Sequence, residues 1–167
     1  MFGNTHKIET HSDVDKRFVV EKYFDMIYKL ALSQTKSRDF ADDVVQEVFL
    51  RFLKSDKCFE GDEHIKAWLI RVTINCSHNV FSNSWAQKTV PLTEDIVFDT
   101  EEKGDVYYAV MELPQKYRAV IHLFYYEDMS IEEIAKALGL NGSTVKSQLS
   151  RGRKMLREKL EGGYGLV

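Results

Sequence analysis

The segment GSTVKSQLSRGRKML, residues 142–156, combines at helical spacing the residue types that bind nucleic acid. Lys and Arg side chains neutralise phosphates, and short Ser and Thr hydroxyls reach base edges in a groove. Residues 142–160 carry six basic side chains and one acidic one, a local charge of +5 in a chain whose formal net charge is -3. The opposite stripe is apolar or small and consists of Val145, Leu149, Gly152, Leu156 and Leu160. Taken alone, such a helix is equally typical of a solvated face or of a surface that meets an acidic partner.

The residues just upstream predict a second, shorter helix that meets the basic helix at a tight turn. Ser130 and Glu133 have the spacing of a capping box, so we expect the shorter helix to begin at Ser130. Gly139 suits a left-handed residue after its last turn, and only residues 140–142 separate it from the basic segment. The pair therefore predicts a helix-turn-helix whose second helix enters the major groove. The apolar face of the shorter helix consists of Ile131, Ile134, Ala135 and Leu138.

Length and composition favour an ordinary helical protein of one medium domain or two small ones. The chain has 167 residues, of which 44% are hydrophobic and 29% charged. Its apolar runs fall short of the roughly 18 residues that cross a bilayer. The start MFGNTHKIETHSD has no signal-peptide core, so we expect a cytoplasmic protein. Cys58 and Cys76 are predicted to be reduced thiols.

Charge divides the chain into three parts. The net charge is -1 over residues 1–83, -5 over residues 84–112 and +3 over residues 113–167. The acidic stretch SWAQKTVPLTEDIVFDTEEKGD contains Pro91 and shows no sustained helical period, which indicates a linker. The alternative is an ordered loop of one larger domain, in which residues 96–98 dock.

The resulting prediction is an all-α protein of two small helical domains joined by a flexible acidic linker. The first domain covers residues 1–83, the linker 84–104 and the second domain 105–167. In the first domain the helical period predicts a helix of about 20 residues in RFVVEKYFDMIYKLALSQ. Its inward residues are expected to be Val20, Tyr23, Phe24, Ile27, Leu30 and Ala31.

Two further helices are predicted in the first domain. Asp39 is the expected N-cap of the helix in DFADDVVQEVFLRFLK, with Asp42 and Asp43 in its first turn. The third helix, HIKAWLIRVTINCSHNVF, is expected to pack Trp68 and Val72 inward after the polar loop KCFEGDE. The buried stripe of the second helix is expected to be Ala41, Val44, Val45, Val48, Phe49 and Phe52.

The chain resembles the extracytoplasmic-function (ECF) sigma factors of bacteria. The segments ADDVVQEVFLRFLK and FEGDEHIKAWLIRVTINCSHN are similar to sigma region 2, and LPQKYRAVIHLFYYEDMSIEEIAKALGLNGSTVKSQLSRGRKMLREKL is similar to region 4. The resemblance covers nearly the whole chain. It implies a transcription-initiation subunit that binds core RNA polymerase, directs it to promoters, makes or breaks no bond itself and needs no cofactor.

The resemblance also implies which residues meet the polymerase and the promoter. The polymerase-binding residues are Asp42, Asp43, Gln46, Glu47 and Arg51, and the minus-10 residues are Phe59, Gly61, Asp62 and Asn75. In the minus-35 helix, Ser143, Thr144, Ser147 and Arg151 are placed nearest the bases, while Lys146, Arg153 and Lys154 are placed for phosphates.

Two departures from the family pattern stand out. Many relatives follow the third helix with a cluster of arginines, whereas NCSHNVFSNSWAQK offers only Lys88. Glu60 occupies a loop position where relatives carry basic residues. The resemblance further implies that the linker runs through the polymerase cleft or exit channel, although its acidity fits a solvated tether equally well. It also suggests an anti-sigma factor that masks the polymerase-binding or DNA-binding faces.

Two other functional classes compete with this interpretation. A stand-alone helix-turn-helix regulator would need a ligand or phosphoacceptor domain upstream, and the first 83 residues show neither alternating strands nor a phosphate loop. A metal enzyme would have to use Cys58, His64, Cys76 and His78, whose spacings match no common zinc site.

Overall fold

The described part of the chain is entirely helical, as the sequence predicts. The structure, a computed structural model, describes residues 14–82 and 101–163. Most of the predicted linker, residues 84–100, lies outside the described residues, and its last four positions fall in the fourth helix. The helices are α1 Lys16–Thr35, α2 Arg38–Lys54, α3 Asp62–Ser82, α4 Glu101–Met111, α5 Gln115–Tyr125, α6 Ile131–Leu138 and α7 Gly142–Gly163.

The first three helices form one bundle, and local capping contacts set where α1 and α2 begin and where α1 ends. The Asp15 carboxylate accepts hydrogen bonds from the backbone N–H groups of Arg17 and Phe18, and α1 ends at Lys36 in the left-handed region, with φ 57°. The Ser37 hydroxyl then caps α2. The prediction that Asp39 is the cap was wrong: Asp39 lies in the first turn, where its charge suits the helix dipole.

The core of this first bundle is apolar. All six residues predicted for the α2 stripe are buried, which confirms that stripe. Two of the inward residues predicted for α1 were wrong: Phe24 is 49% exposed and Val20 only half-buried, while Val19 is buried instead. The reason is that a single stripe of α1 faces both α2 and α3, and Phe24 lies at the edge of that stripe. Its ring stacks on the Phe49 ring, with centroids 6.1 Å apart.

Helices α4–α7 form the second bundle. Val145 and Leu149 of α7 are buried in a cluster with Ile121, Leu123 and Ile134. Both cysteines are free thiols, with Cys58 exposed and Cys76 buried. None of the described helices combines the length and the apolar character needed to cross a membrane.

The two bundles pack against each other along a seam, which we define as the contact of α1 and α3 with α5 and α6. Leu30 of α1 and Ile70 of α3 are fully buried and belong to the core cluster of the second bundle. Arg71 of α3 donates two hydrogen bonds to the carbonyls of Lys136 and Ala137, at 2.7 and 3.0 Å. The structure therefore shows a closed arrangement of the bundles.

Candidate nucleic-acid and protein interfaces

The α6–α7 pair is a helix-turn-helix built from short-range contacts. The Ser130 hydroxyl accepts a hydrogen bond from the Glu133 backbone N–H at 3.2 Å, and the Ser130 N–H donates to the Glu133 carboxylate at 2.7 Å. Hydrogen bonds to its carboxylate from the Ser130 backbone N–H and then from the Ser130 side chain hold the pKa of Glu133 below its usual value. Gly139 ends α6 in the left-handed region, with φ 66°. The predicted capping box and glycine C-cap are both confirmed.

A close approach of α5 and α7 fixes which face of α7 is free. A Cβ atom on Gly152 would lie only 3.1 Å from Ile121 Cγ1, so the side chains of α5 occupy the space that a larger residue would need. Gly152, Val145 and Leu149 all face this contact and are buried. The opposite, polar face of α7 is consequently presented to solvent.

The residues predicted to contact the minus-35 element lie on that outer face and along its two flanks. Arg151 is exposed and hydrogen-bonds with Tyr117 of α5, which lowers the pKa of the Tyr117 hydroxyl. Lys154 is exposed and lies 4.0 Å from Glu158. Both cations keep most of their surface in solvent. Of the whole predicted set, Thr144 is half-buried, and the exposed members are Ser143, Lys146, Ser147, Arg151, Arg153 and Lys154.

Arg153 is held on the other flank of α7. Its Nε donates to the Tyr125 hydroxyl at 2.7 Å, and its guanidinium carbon lies 5.5 Å from the Phe124 ring centroid. Two residues along a helix correspond to about 200° of rotation, so Arg153 and Arg151 point to different sides. The aromatic anchor was missed in the sequence because Phe124 and Tyr125 are 28 to 29 positions from Arg153.

The loop before α3 is anchored on an aromatic cluster. The Phe59 ring contacts the rings of Phe52, His64 and Trp68, with centroids 5.3 to 5.8 Å apart. The Glu60 backbone N–H donates to His64 Nδ1 at 3.2 Å. Trp68 packs against the core, as expected, although it is only partly buried. Phe59 is therefore partly covered by these rings and partly exposed to solvent.

Asp62 is tied to α1. Its carboxylate accepts a hydrogen bond from Lys22 Nζ at 2.8 Å and another from the Tyr23 hydroxyl, and these bonds lower its pKa. Burial and the neighbouring Asp62 raise the pKa of Tyr23. Gly61, just before it, has φ 152°, which a side chain rarely adopts. These contacts fix the loop relative to α1.

The four residues predicted for the minus-10 element do not form one pocket. Phe59, Gly61 and Asp62 line a cavity of about 410 Å³ together with Phe18 of α1, which is 60% exposed. Asn75 is exposed and lies thirteen residues beyond Asp62 in α3, about 20 Å along the helix axis. The sequence prediction missed Phe18, because it precedes the loop by about forty residues.

The outer face of α2 combines charge with exposed apolar side chains. Its five predicted polymerase-binding residues, Asp42, Asp43, Gln46, Glu47 and Arg51, are all exposed. Arg51 Nε lies 2.6 Å from Glu47 Oε1, so these two charges largely neutralise each other. Leu50 and Leu53 are 48% and 46% exposed on the same helix. Apolar side chains beside charged ones are typical of a protein-binding surface.

Comparisons with known proteins match the two bundles to two different family models. Residues 19–86 match the family model described as Sigma-70 region 2, and residues 103–156 match that described as Sigma-70, region 4. The chain is 33% identical to the RNA polymerase sigma factor SigV of Bacillus subtilis, over 80% of this chain and 83% of SigV. It is 28% identical to the ECF RNA polymerase sigma factor SigW of the same organism, over 85% of this chain and 87% of SigW.

Two solved structures share the fold. One is the sigma factor RpoE in complex with the anti-sigma factor NepR from Bartonella quintana, with a TM-score of 0.66 and 23% identity over 89% of this chain and 98% of that one. The other is CnrH in complex with the cytosolic domain of CnrY, with a TM-score of 0.68 and 23% identity over 89% of this chain and 88% of that one.

Proposed function

Because the chain belongs to the ECF sigma factors of bacterial RNA polymerase, we propose that it binds core polymerase and directs it to promoters, with the first bundle on the minus-10 element and α7 on the minus-35 element. The observation that carries this function is the exposed face of hydroxyls and cations on the second helix of a helix-turn-helix. The domains are residues 1–83 and 105–167, joined by the linker 84–104.

In this role the polymerase makes the bonds, and the chain contributes binding energy and base contacts without a catalytic group or cofactor. Its place of action is the cytoplasm, where polymerase and chromosome meet. A stand-alone regulator is disfavoured, because such a protein would have no use for a complete region 2. Within the described residues no cluster of His, Cys, Asp or Glu is arranged to hold a metal ion.

The opening of the seam is a requirement of this function. The minus-10 and minus-35 elements lie about 25 base pairs apart. This separation corresponds to about 85 Å of duplex at about 3.4 Å per base pair. Bundles in direct contact cannot read both elements at once. The eighteen residues 83–100 span at most about 60–65 Å when fully extended, which brings the separated bundles into range. The closed arrangement is therefore the state before promoter binding.

The polymerase-binding surface is proposed on the outer face of α2, with Asp42, Asp43, Gln46, Glu47 and Arg51 as its polar part and Leu50 and Leu53 as its apolar part. Replacing Asp43 and Glu47 together by Lys is expected to abolish co-purification with core polymerase while leaving the fold intact, because both side chains are exposed. Glu161→Lys, on the exposed end of α7, is the matched control. Wild-type yield of the complex from the double variant would disprove this assignment.

The minus-10 element is proposed to contact two places, the loop of Phe59, Gly61 and Asp62 and the exposed Asn75. An unstacked base needs an aromatic wall and a polar edge partner, which Phe59 and the loop backbone supply. Because Asp62 is bound by Lys22 and Tyr23, its role is to hold the loop. Tyr23→Phe is expected to weaken open-complex formation without changing base preference, as measured by permanganate footprinting across a set of minus-10 variants.

The minus-35 contacts are proposed to divide into base readers and phosphate contacts. Arg151→Ala is expected to cost about 1–3 kcal/mol and to relax the preference at particular base pairs. Lys154→Ala is expected to weaken all sequences similarly and to reduce the salt slope by about one unit. Promoter selection with both variants separates the two roles, and an unchanged minus-35 preference in Arg151→Ala would make Arg151 a phosphate contact. Val145→Asp, which places a charge in the core, is the control for loss of folding.

The regulator is proposed to be an anti-sigma factor, as in the solved complex of RpoE with the anti-sigma factor NepR. The free chain is expected to bind promoter duplex weakly, because its net charge is -3 and its useful cations lie on α7. An electrophoretic mobility-shift assay with and without core polymerase tests this point. Tight, sequence-specific binding by the chain alone would favour the stand-alone regulator.

A further inference from the structure

A cavity of about 530 Å³ lies in the described structure between the two bundles, walled by α1 on one side and by α4 and α5 on the other. Its size falls within the range of sites that hold small organic molecules, about 300–1,000 Å³. Its wall is mostly aliphatic and aromatic. The apolar and aromatic residues are Met26, Tyr28 and Leu32 from α1, Tyr107, Val110 and Met111 from α4, and Tyr126 next to α5.

One buried polar atom in this lining has no hydrogen-bond partner in the structure. His122 is 6% exposed, and its ring is stacked on that of Tyr126 with centroids 5.3 Å apart. Its Nε2 lies 3.4 Å from a Glu127 carboxylate oxygen without forming a hydrogen bond. A buried polar atom without a partner is costly, so a ligand group that pairs with it gains binding energy.

The rim of the cavity carries no uncompensated charge from α1. Lys29 Nζ lies 2.6 Å from an Asp25 carboxylate oxygen, and both side chains are exposed. Burial raises the pKa of Tyr107, in the wall, to about 12, so its hydroxyl is neutral at physiological pH. The Glu127 carboxylate also lines the cavity, beside His122, and disfavours an anion. The mostly apolar wall therefore favours an uncharged occupant.

We propose that this cavity binds a small uncharged molecule with a compact apolar or aromatic body and one hydroxyl group that pairs with His122 Nε2. A hydroxyl both donates and accepts, so it satisfies Nε2 in either protonation state of the ring. The apolar body fills the space between Met26, Leu32 and Val110, where its transfer from water is favourable.

The occupant also holds the seam closed, a consequence that rests on the proposed function. Because the walls come from both bundles, the complete site exists only while the bundles are in contact. A molecule that binds only the closed chain shifts the population toward it and opposes the opening that promoter recognition requires. The cavity is therefore a site through which a small molecule lowers sigma activity.

The binding half of the proposal is tested on the free, full-length chain with 4-propylphenol and propylbenzene as probes, followed by NMR titration of the backbone amides. Saturable shifts in α1, α4 and α5 are expected, with 4-propylphenol bound about three- to tenfold more tightly, the worth of one hydrogen bond. His122→Phe is expected to erase this preference, whereas His78→Phe, at an exposed position of α3, keeps it.

Equal affinity for the two probes in the wild-type chain, shifts elsewhere in the protein, or no saturable binding would each overturn the proposal. The comparison of probes on the wild-type chain decides it even if His122→Phe fails to fold. Open-complex formation by the holoenzyme then tests the second half: 4-propylphenol is expected to lower it for the wild-type chain at a three- to tenfold lower concentration than for His122→Phe. Since probe binding is measured without polymerase, it separates failure of the cavity from failure of the sigma assignment.

Discussion

The core of the first bundle and the seam between the bundles bury side chains of different kinds. Between α1, α2 and α3 the large fully buried residues are apolar, with Val48, Phe52 and Leu69 at 0–1% exposure. The buried Thr35 and Thr73 hydroxyls donate to backbone carbonyls of their own helices, at 2.9 and 2.7 Å. The seam also buries Leu30 and Ile70. Beside them, however, it buries the polar side chains Gln34, Arg118 and His122, at 0–6% exposure. The two contacts are comparably closed to water, but only the seam buries long polar side chains.

The polar groups of the seam are incompletely paired. Arg118 donates to the carbonyls of Met111, Leu113 and Gln34 at 2.8 to 3.2 Å, yet its Nε and Gln34 Oε1 have no hydrogen-bond partner. Burial lowers the pKa of Arg118 to about 10. Each unpaired buried polar group costs about 1–3 kcal/mol, which offsets much of what the apolar contacts of the seam contribute. The difference indicates bundles that stay folded and a seam that separates.

Three successive residues of α3 extend into the two contacts. Leu69 belongs to the core of the first bundle, Ile70 to the cluster across the seam, and Arg71 reaches the carbonyls at the end of α6. Each step along a helix turns the side chain by about 100°, so neighbours in sequence lie in different surroundings. Substitutions at these positions separate bundle stability from seam stability on one helix.

The largest effect is expected for Leu69→Asp. The new carboxylate would lie in an apolar core with no route to water, at a cost above about 4–5 kcal/mol, comparable to the largest effects of single substitutions. We expect the first bundle to unfold, as seen in loss of helical circular dichroism and in the urea midpoint. Leu53→Asp, at a position that is 46% exposed, is the control and is expected to remain folded.

A smaller effect on folding is expected for Ile70→Asp, although Ile70 is as deeply buried as Leu69. Separation of the bundles exposes this position, so the carboxylate regains water without unfolding α1–α3. The expected result is nearly unchanged helicity with a larger radius of gyration by small-angle X-ray scattering. Unfolding as complete as that of Leu69→Asp would mean that the chain has a single core and that the seam does not open.

Arg71→Ala is expected to destabilise the seam less than Ile70→Asp does. It removes two hydrogen bonds from a charged donor, but the group is largely at the surface, so the loss should stay below about 1.5 kcal/mol. A less stable closed state raises the fraction of chains that can reach both promoter elements, and the variant holoenzyme should form open complexes up to about tenfold more readily. Arg71→Lys, whose ammonium lacks the planar fork, should lie between the two. Weaker polymerase binding by Arg71→Ala would place Arg71 in the polymerase interface instead.

The sequence predicts the parts of this fold that depend on near neighbours. The α2 stripe, the capping box at Ser130 and the left-handed Gly139 all arise from residues within about four positions of one another, and all three predictions are confirmed. The α2 cap was assigned wrongly because Ser37 and Asp39 both have side chains that cap helices. The choice between them depends on where α1 ends, at the left-handed Lys36.

The parts that the sequence leaves open depend on distant partners. Nothing within α3 indicates that Arg71 meets Ala137, 66 residues later, or that Phe18 lines a cavity with the loop of Phe59. Periodicity marks Ile70 as buried without saying in which bundle. The seam therefore follows from the tertiary arrangement and not from any local pattern.

The smallest effect on stability is expected when Asp62, which anchors the minus-10 loop to α1, is replaced. This effect depends on pH. Hydrogen bonds from Lys22 and then Tyr23 lower the pKa of Asp62 in the folded chain, so its stabilisation is fully present above the unfolded pKa, near 4, and is lost as pH falls through the folded value.

Asp62→Asn lacks this ionisable group. The free energy of unfolding in urea should therefore be lower for the variant at pH 7, by less than about 1 kcal/mol because the pair is exposed, and the difference from wild type should shrink as the solution is acidified below about pH 4. Asp56→Asn, at an exposed position of the same loop, is the control and should show no such convergence. A difference between wild type and Asp62→Asn that stays constant with pH would mean that ionisation of Asp62 does not contribute to stability. The difference would then come from the amide group itself, whose NH2 cannot accept the hydrogen bonds that Lys22 and Tyr23 donate.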